Sequence, residues 1–256
     1  MLIDSHAHIQ LKQFDTDRKA VLERASEAGV HAILVVGFDL ETSRGAIDLA
    51  ERHEQTYATV GMHPHDAKDL TDETLHIFRK LVNHPKVIAL GEMGLDYYRD
   101  FSPHPIQKMA FEQQLDLAEE LNLPIVIHNR EAYHDILPIL QARYGKVCGV
   151  MHCFSGDIAI MRQSLDLGFY IGIGGPVTYR KSDALQEVAR KIPADRLLVE
   201  TDCPWLAPQF RRGKRNEPAY VRAIAEKVAE LRDVSLGEIE ETTTRNFRKL
   251  FGNRVL

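Results

Sequence analysis

The chain opens MLIDSHAHIQ, placing His6 and His8 two residues apart just behind the apolar Leu2 and Ile3. In an extended strand, residues i and i+2 project to one side. The two imidazoles would therefore leave the end of a short strand together, and a neutral pair of this kind suits a divalent metal. An H-x-H pair alone carries little weight. Its meaning rests on whether other segments deliver ligands to the same place.

Seven further apolar runs supply the test. The candidate strands are 2–8, 32–37, 57–63, 87–94, 124–130, 149–154, 169–175 and 197–202. Each is rich in Val, Ile or Leu, as strands buried on both faces should be. The first ends in His6 and His8, the third in His63, the fourth in Glu92, the fifth in His128, the sixth in His152 and the eighth in Asp202. The second ends at Gly37 and offers no ligand. Burying so many ionisable groups together without a compensating cation is costly.

These strands must be carried by something, and the intervening segments have helical spacing. Val21, Leu22 and Ala25 share a face, with Gly29 as a stop. Ile106, Met109, Ala110, Gln113, Leu117 and Leu121 follow a 3.6-residue repeat. Asp72 and Glu73 place negative charge at a helix start. Ser235, with Glu238 three residues on, predicts a capping box opening the last of two C-terminal helices. Strand and helix alternate throughout, which predicts an α/β (β/α)8 barrel of the TIM type, one domain over residues 1–256, with extra C-terminal helices. No G-x-G-x-x-G follows the first strand, as a doubly wound open sheet would require. Active sites of such barrels lie at the C-terminal strand ends, so the ligands converge.

Six ligands exceed the three that a catalytic zinc takes beside water. Two ions about 3.5–4 Å apart, bridged by a carboxylate, fit better. Glu92 is the expected bridge: His6, His8, Glu92 and Asp202 would hold one ion, and Glu92, His128 and His152 the other. The mixed nitrogen and oxygen set suits Zn, Mn, Co or Ni, while Mg prefers more oxygen. By strand alternation Cys153 and Cys203 face away and pack. Asp4 is expected to make a hydrogen bond deeper in the barrel.

Composition sets bounds on the rest. Of 256 residues, 44% are hydrophobic and 27% charged, enough for an ordinary core and against disorder. No apolar run approaches the roughly 18 residues of a membrane span, and Asp4, His6 and His8 interrupt any signal-peptide pattern. Three cysteines without C-x-x-C spacing read as reduced thiols of a cytoplasmic protein. A net charge of −5 argues against a broad basic surface for nucleic acid. The one dense basic cluster is RRGKR at 211–215.

The ordered set DSHAH, GMHPH, GEMGLDYY, PIVIHNR, MHCFSG and ETDCPWL, followed by RRGKRNEPAYV, resembles the TatD family of metal-dependent deoxyribonucleases, within the amidohydrolase-like barrel superfamily. The resemblance covers essentially the whole chain and keeps the motif order. Glu92 stands where several amidohydrolases carry a carboxylated lysine. The resemblance implies a hydrolase that cuts phosphodiester bonds, acting as a 3′–5′ exonuclease on single-stranded DNA. Two divalent metals (Zn, Mn, Mg, Co or Ni) would activate the water. Asp202 then ligates through one oxygen and takes the water's proton with the other. Glu200, two residues earlier and so on the same strand face, either orients a neighbour, ligates a further metal or is a structural partner. His63 is expected to bind a substrate phosphate or support a ligand, and Arg130 to grip a phosphate as a fork. The RRGKR loop follows strand eight, which brings Arg211 and Arg215 into reach of the nucleic-acid backbone. Tyr97, Tyr98 and Trp205 are candidates to stack on bases. A hydrolase of a small-molecule amide, lactam or ester using the same metals is the competing reading. A metal-bound scaffold without catalysis is a third, which Asp202 and Glu92 speak against. The sequence sets no oligomeric state.

Overall fold

Runs of β-branched and aliphatic residues four to six long, separated by amphipathic stretches, leave each strand with two apolar faces to cover. A closed parallel sheet wrapped by helices covers both. The computed structural model describes residues 1–252, and the last four residues of the expected domain lie outside them. Its strands are β1 (Leu2–Ala7), β2 (Val30–Val36), β3 (Thr56–Val60), β4 (Val87–Asp96), β5 (Ile125–Arg130), β6 (Gly149–Met151), β7 (Tyr170–Ile173) and β8 (Leu197–Val199). They pair in parallel in chain order, β1 to β8. The helices are α1 (Arg18–Glu27), α2 (Leu40–Arg52), α3 (Asp72–Leu81), α4 (His104–Leu121), α5 (Tyr133–Gln141), α6 (Ile158–Asp166), α7 (Asp183–Lys191), α8 (Val221–Arg232) and α9 (Leu236–Phe251). This is the expected eight-stranded barrel with a further C-terminal helix.

The seam between β1 and β8 closes at the C-terminal end of the barrel. Ala7 bridges Cys203 in parallel. The Asp202 amide donates to the His6 carbonyl at 2.9 Å, and the His8 amide donates to the Cys203 carbonyl at 2.8 Å. The closure therefore runs through the residues that carry the chemistry. Inside the barrel, every strand contributes at least one member of an apolar cluster, among them Ile3, Leu34, Tyr57, Ile88, Val126, Val150, Tyr170 and Leu198. Phe247, Leu250 and Phe251 of α9 continue that cluster. The capping box at Ser235 forms as expected, its hydroxyl accepting from the Glu238 amide at 3.2 Å while Glu238 accepts from the Ser235 amide at 2.9 Å.

Several strands end earlier than their apolar runs. β3 stops at Val60, β6 at Met151 and β8 at Val199, so His63, His152 and Asp202 lie in turns just past the ladder. After β6 and β8 the backbone shows why: Cys153 and Asp202 adopt left-handed φ of 44° and 56°, which an extended strand cannot hold. β4 runs two residues longer than expected, through Asp96.

Candidate metal centre

Glu92 sits at the middle of the site. It comes from β4, and its two oxygens face different imidazoles. Oε2 lies 3.4 Å from His6 Nε2 and 3.7 Å from His8 Nε2. Oε1 lies 2.9 Å from His128 Nδ1, 3.3 Å from His152 Nε2 and 3.7 Å from His63 Nε2. Asp202 closes the first group, with Oδ1 3.5 Å from His8 Nε2 and 3.9 Å from His6 Nε2. His6, His8, Glu92 and His152 are buried, as is Glu200 beside them, and Asp202 is 9% exposed. All six expected ligands are thus brought together.

The outer nitrogens decide which ring atoms face a cation. His8 Nδ1 lies 2.8 Å from the Val36 carbonyl, which can only accept, so in the neutral ring Nε2 is a bare lone pair. His152 Nδ1 faces Glu200 Oε1 at 2.9 Å and His128 Nε2 faces Asp96 Oδ2 at 3.1 Å. Each leaves its other nitrogen for the centre, the carboxylate–histidine arrangement of metal sites. His6 Nε2 and His8 Nε2 approach to 2.9 Å, and His6 Nδ1 is buried without a hydrogen-bond partner. Two facing ring nitrogens beside two carboxylates are what a divalent cation would satisfy, so the donor set fits a metal. By distance, His63 also forms a triad with Glu92 and His128. Its Nδ1, however, accepts from the His65 amide at 3.1 Å, which puts the proton of the neutral ring on Nε2. In that tautomer His63 presents an N–H to the cavity.

Burial and neighbouring charges pull the members of the cluster in opposite directions. Burial pushes His6 down to about 3, and burial with the neighbouring His128 holds His63 well below its ordinary value. Burial acts to raise the Glu92 carboxyl, but the surrounding imidazoles, led by His152, hold it well below the usual range. His152 goes the other way: burial opposes its charge, yet Glu200 and Glu92 raise it well above normal. Asp4 is pushed up to about 8 by burial, against hydrogen bonds from Thr201. Its carboxylate accepts from the Thr201 amide at 2.8 Å and hydroxyl at 2.6 Å, and from the His6 amide at 3.3 Å. Asp4 thus joins β1 to the turn after β8.

Two glycines make room around the site. A Cβ on Gly172 would lie 2.5 Å from Glu200 Oε2. At Gly94, φ is +146° and a Cβ would lie 1.9 Å from the His128 carbonyl oxygen, so only glycine allows β4 and β5 to run together between Glu92 and Asp96.

The remaining expected residues scatter. Glu200 does not share a strand face with Asp202, because β8 ends at Val199 and φ at Asp202 is positive. It is fully buried behind His152, where it also accepts from the Cys153 amide and lies 3.5 Å from the Ser5 hydroxyl. Cys153, expected to face away, lines the cavity, since its own positive φ breaks the alternation. Cys203 is buried in the core. Arg130 and Trp205 line the cavity. Arg211 and Arg215 do not. They border a separate flank pocket, where Arg215 clasps Asp17 at 2.6 and 2.8 Å and lies over the Phe14 ring. Tyr97 is committed to packing, stacked on His104 with its hydroxyl on Asp135 at 2.6 Å.

Two residues escaped the sequence reading. His65 lines the cavity and faces Asp96 Oδ2 at 2.9 Å, so Asp96 is shared between His65 and His128. Hydrogen bonds from both imidazoles pull the Asp96 carboxyl below its usual range against the effect of burial. The signal was present: His63 and His65 repeat the H-x-H spacing, and Asp96 lies four residues beyond Glu92 on one strand face. All of this opens into a cavity of about 840 Å³ at the C-terminal ends of the strands.

A parallel eight-stranded barrel with a buried, carboxylate-centred imidazole cluster at its C-terminal face defines a barrel metal-dependent hydrolase. Residues 3–252 match the family model described as TatD related DNase, and the chain belongs to that family. It is 48% identical over 252 residues to the uncharacterized metal-dependent hydrolase YabD of Bacillus subtilis, covering 98% of this chain and 99% of that one. It is 40% identical to the 3′-5′ ssDNA/RNA exonuclease TatD of Erwinia tasmaniensis, with 98% and 99% covered. The crystal structure of YJJV, a TatD homologue from Escherichia coli K12, superimposes with a TM-score of 0.92 at 31% identity, covering 98% of this chain and 97% of that one. Among the described residues, no helix is long and apolar enough to cross a membrane.

Proposed function

We propose that this chain is a 3′–5′ exonuclease on single-stranded DNA, working with two divalent metal ions of the Zn, Mn, Mg, Co or Ni class. One observation carries the two-ion reading: the two oxygens of Glu92 face two separate imidazole sets. His6, His8 and Asp202 would complete one position, His128 and His152 the other. Bound ions supply Lewis-acid activation of water and of the phosphoryl oxygen. The chain's own residues do the rest. Asp202 presents Oδ1 to His6 and His8, which leaves Oδ2 to take the proton of the attacking water. Glu200 and Asp96 lock the rings of His152 and His128. His63 Nε2–H donates to a phosphoryl oxygen, Arg130 pairs with phosphate, and the exposed Trp205 offers a ring for a base. The nucleic-acid substrate is supported by the exonuclease names of relatives such as the Erwinia protein.

The test is a purified, chelator-stripped protein reloaded with Mn or Zn and given a 5′-labelled single-stranded oligonucleotide. The expected result is a ladder shortening from the 3′ end only when metal is restored. Intact DNA together with opening of a lactam or amide would replace this reading with the small-molecule one.

A further inference from the structure

The mouth of the cavity carries charge that the metal centre does not use. Arg99 follows β4, Arg130 ends β5 and Lys181 precedes α7, so three separate segments each bring an exposed cation to the same opening. Among the described residues none of the three has a carboxylate within ion-pair distance, and the rim acids Asp66 and Asp183 are paired with none of them. Tyr98 organises two of the three. The Arg130 guanidinium lies 3.9 Å from the Tyr98 ring centroid and that of Arg99 5.5 Å from the same ring. Stacking of this kind leaves the edge N–H groups of a guanidinium free for an oxyanion. An unpaired cation beside a carboxylate-rich centre is repaid when its partner arrives with the substrate.

We infer that Arg99, Arg130 and Lys181 form a clamp for the phosphates that flank the scissile one, so the site selects a polyanionic strand over an isolated diester. This rests on the nuclease reading and deepens it. The scissile group itself belongs to the metal centre, whereas the clamp engages its neighbours along the backbone. Lone diesters therefore lose the clamp while keeping the chemistry.

The experiment compares the Mn-loaded wild type with Arg99→Ala, Lys181→Ala and Lys181→Arg on a hexathymidylate and on bis(p-nitrophenyl) phosphate, which has no flanking phosphate. Each alanine variant is expected to raise KM for the hexanucleotide about tenfold, as loss of a charge-assisted hydrogen bond does, with kcat within a factor of two. Both substrate constants for the aryl diester stay at the wild-type value, which also shows that the variant is folded. Lys181→Arg restores the hexanucleotide KM. The slope of log kcat/KM against log salt falls by about 0.7 for each cation removed. Equal losses on both substrates, or an unchanged hexanucleotide KM, would overturn the clamp while the nuclease reading stands. A wild type inactive on the hexanucleotide but active on the aryl diester would overturn both.

Discussion

Carboxylates do opposite work in two parts of this molecule. On the flank, Asp17 and Glu217 face guanidiniums: Arg215 clasps Asp17, and Arg24 reaches Glu217 at 2.6 Å. In the cavity, Glu92, Asp96, Glu200 and Asp202 face imidazoles. A guanidinium is charged at every working pH, so the flank pairs cancel and are complete. An imidazole is neutral when it serves as a ligand, so around a bound cation the cavity carboxylates keep negative charge for the cation to balance. On the flank, carboxylates beside permanent cations make screened surface pairs; in the cavity, carboxylates beside buried imidazoles build a site.

The contrast is sharpest for single substitutions. Asp202→Ala should lower kcat for DNA cleavage by about 10²–10⁴, the range of a general base, whereas Arg215→Ala should leave kcat within a factor of two. Comparable losses in the two variants would collapse the distinction. Next in size are the carboxylates behind the ligands. Glu200→Gln and Asp96→Asn should each weaken metal affinity or activity about 10–100-fold, read by titrating metal into stripped protein. Removing metal should also lower Tm, because a ligand at about 100 times its Kd adds about 2.7 kcal/mol of stability; calorimetry with and without chelator would show this. The smallest effect belongs to the flank. Arg215→Ala should cost roughly 1 kcal/mol or less, since both partners are about one-third exposed and solvent screens them. Urea unfolding measures it, and a loss of several kcal/mol would mean that the flank pair is more than a screened surface contact.

The same contrast explains what the sequence could and could not reveal. His6, His8, Glu92, His128, His152 and Asp202 were legible because each follows an apolar run, and barrel topology turns that serial pattern into one place. Asp96 was lost with the last turns of β4, which extends past Gly94 because glycine alone tolerates the close approach to β5 there. Cys153 and Glu200 were misplaced by alternation, which fails once the chain turns left-handed at Cys153 and Asp202. Arg211 and Arg215 were drawn toward substrate by their local density. The partner that claims Arg215 lies 198 residues away at Asp17, and no local pattern announces it.

Whether Glu92 joins two ions, as proposed, is tested directly by an anomalous-difference map of crystals grown with Mn. Two peaks about 3.5–4 Å apart, one on each side of the Glu92 carboxylate, are the predicted result. A single peak, or two that share no Glu92 oxygen, would contradict it.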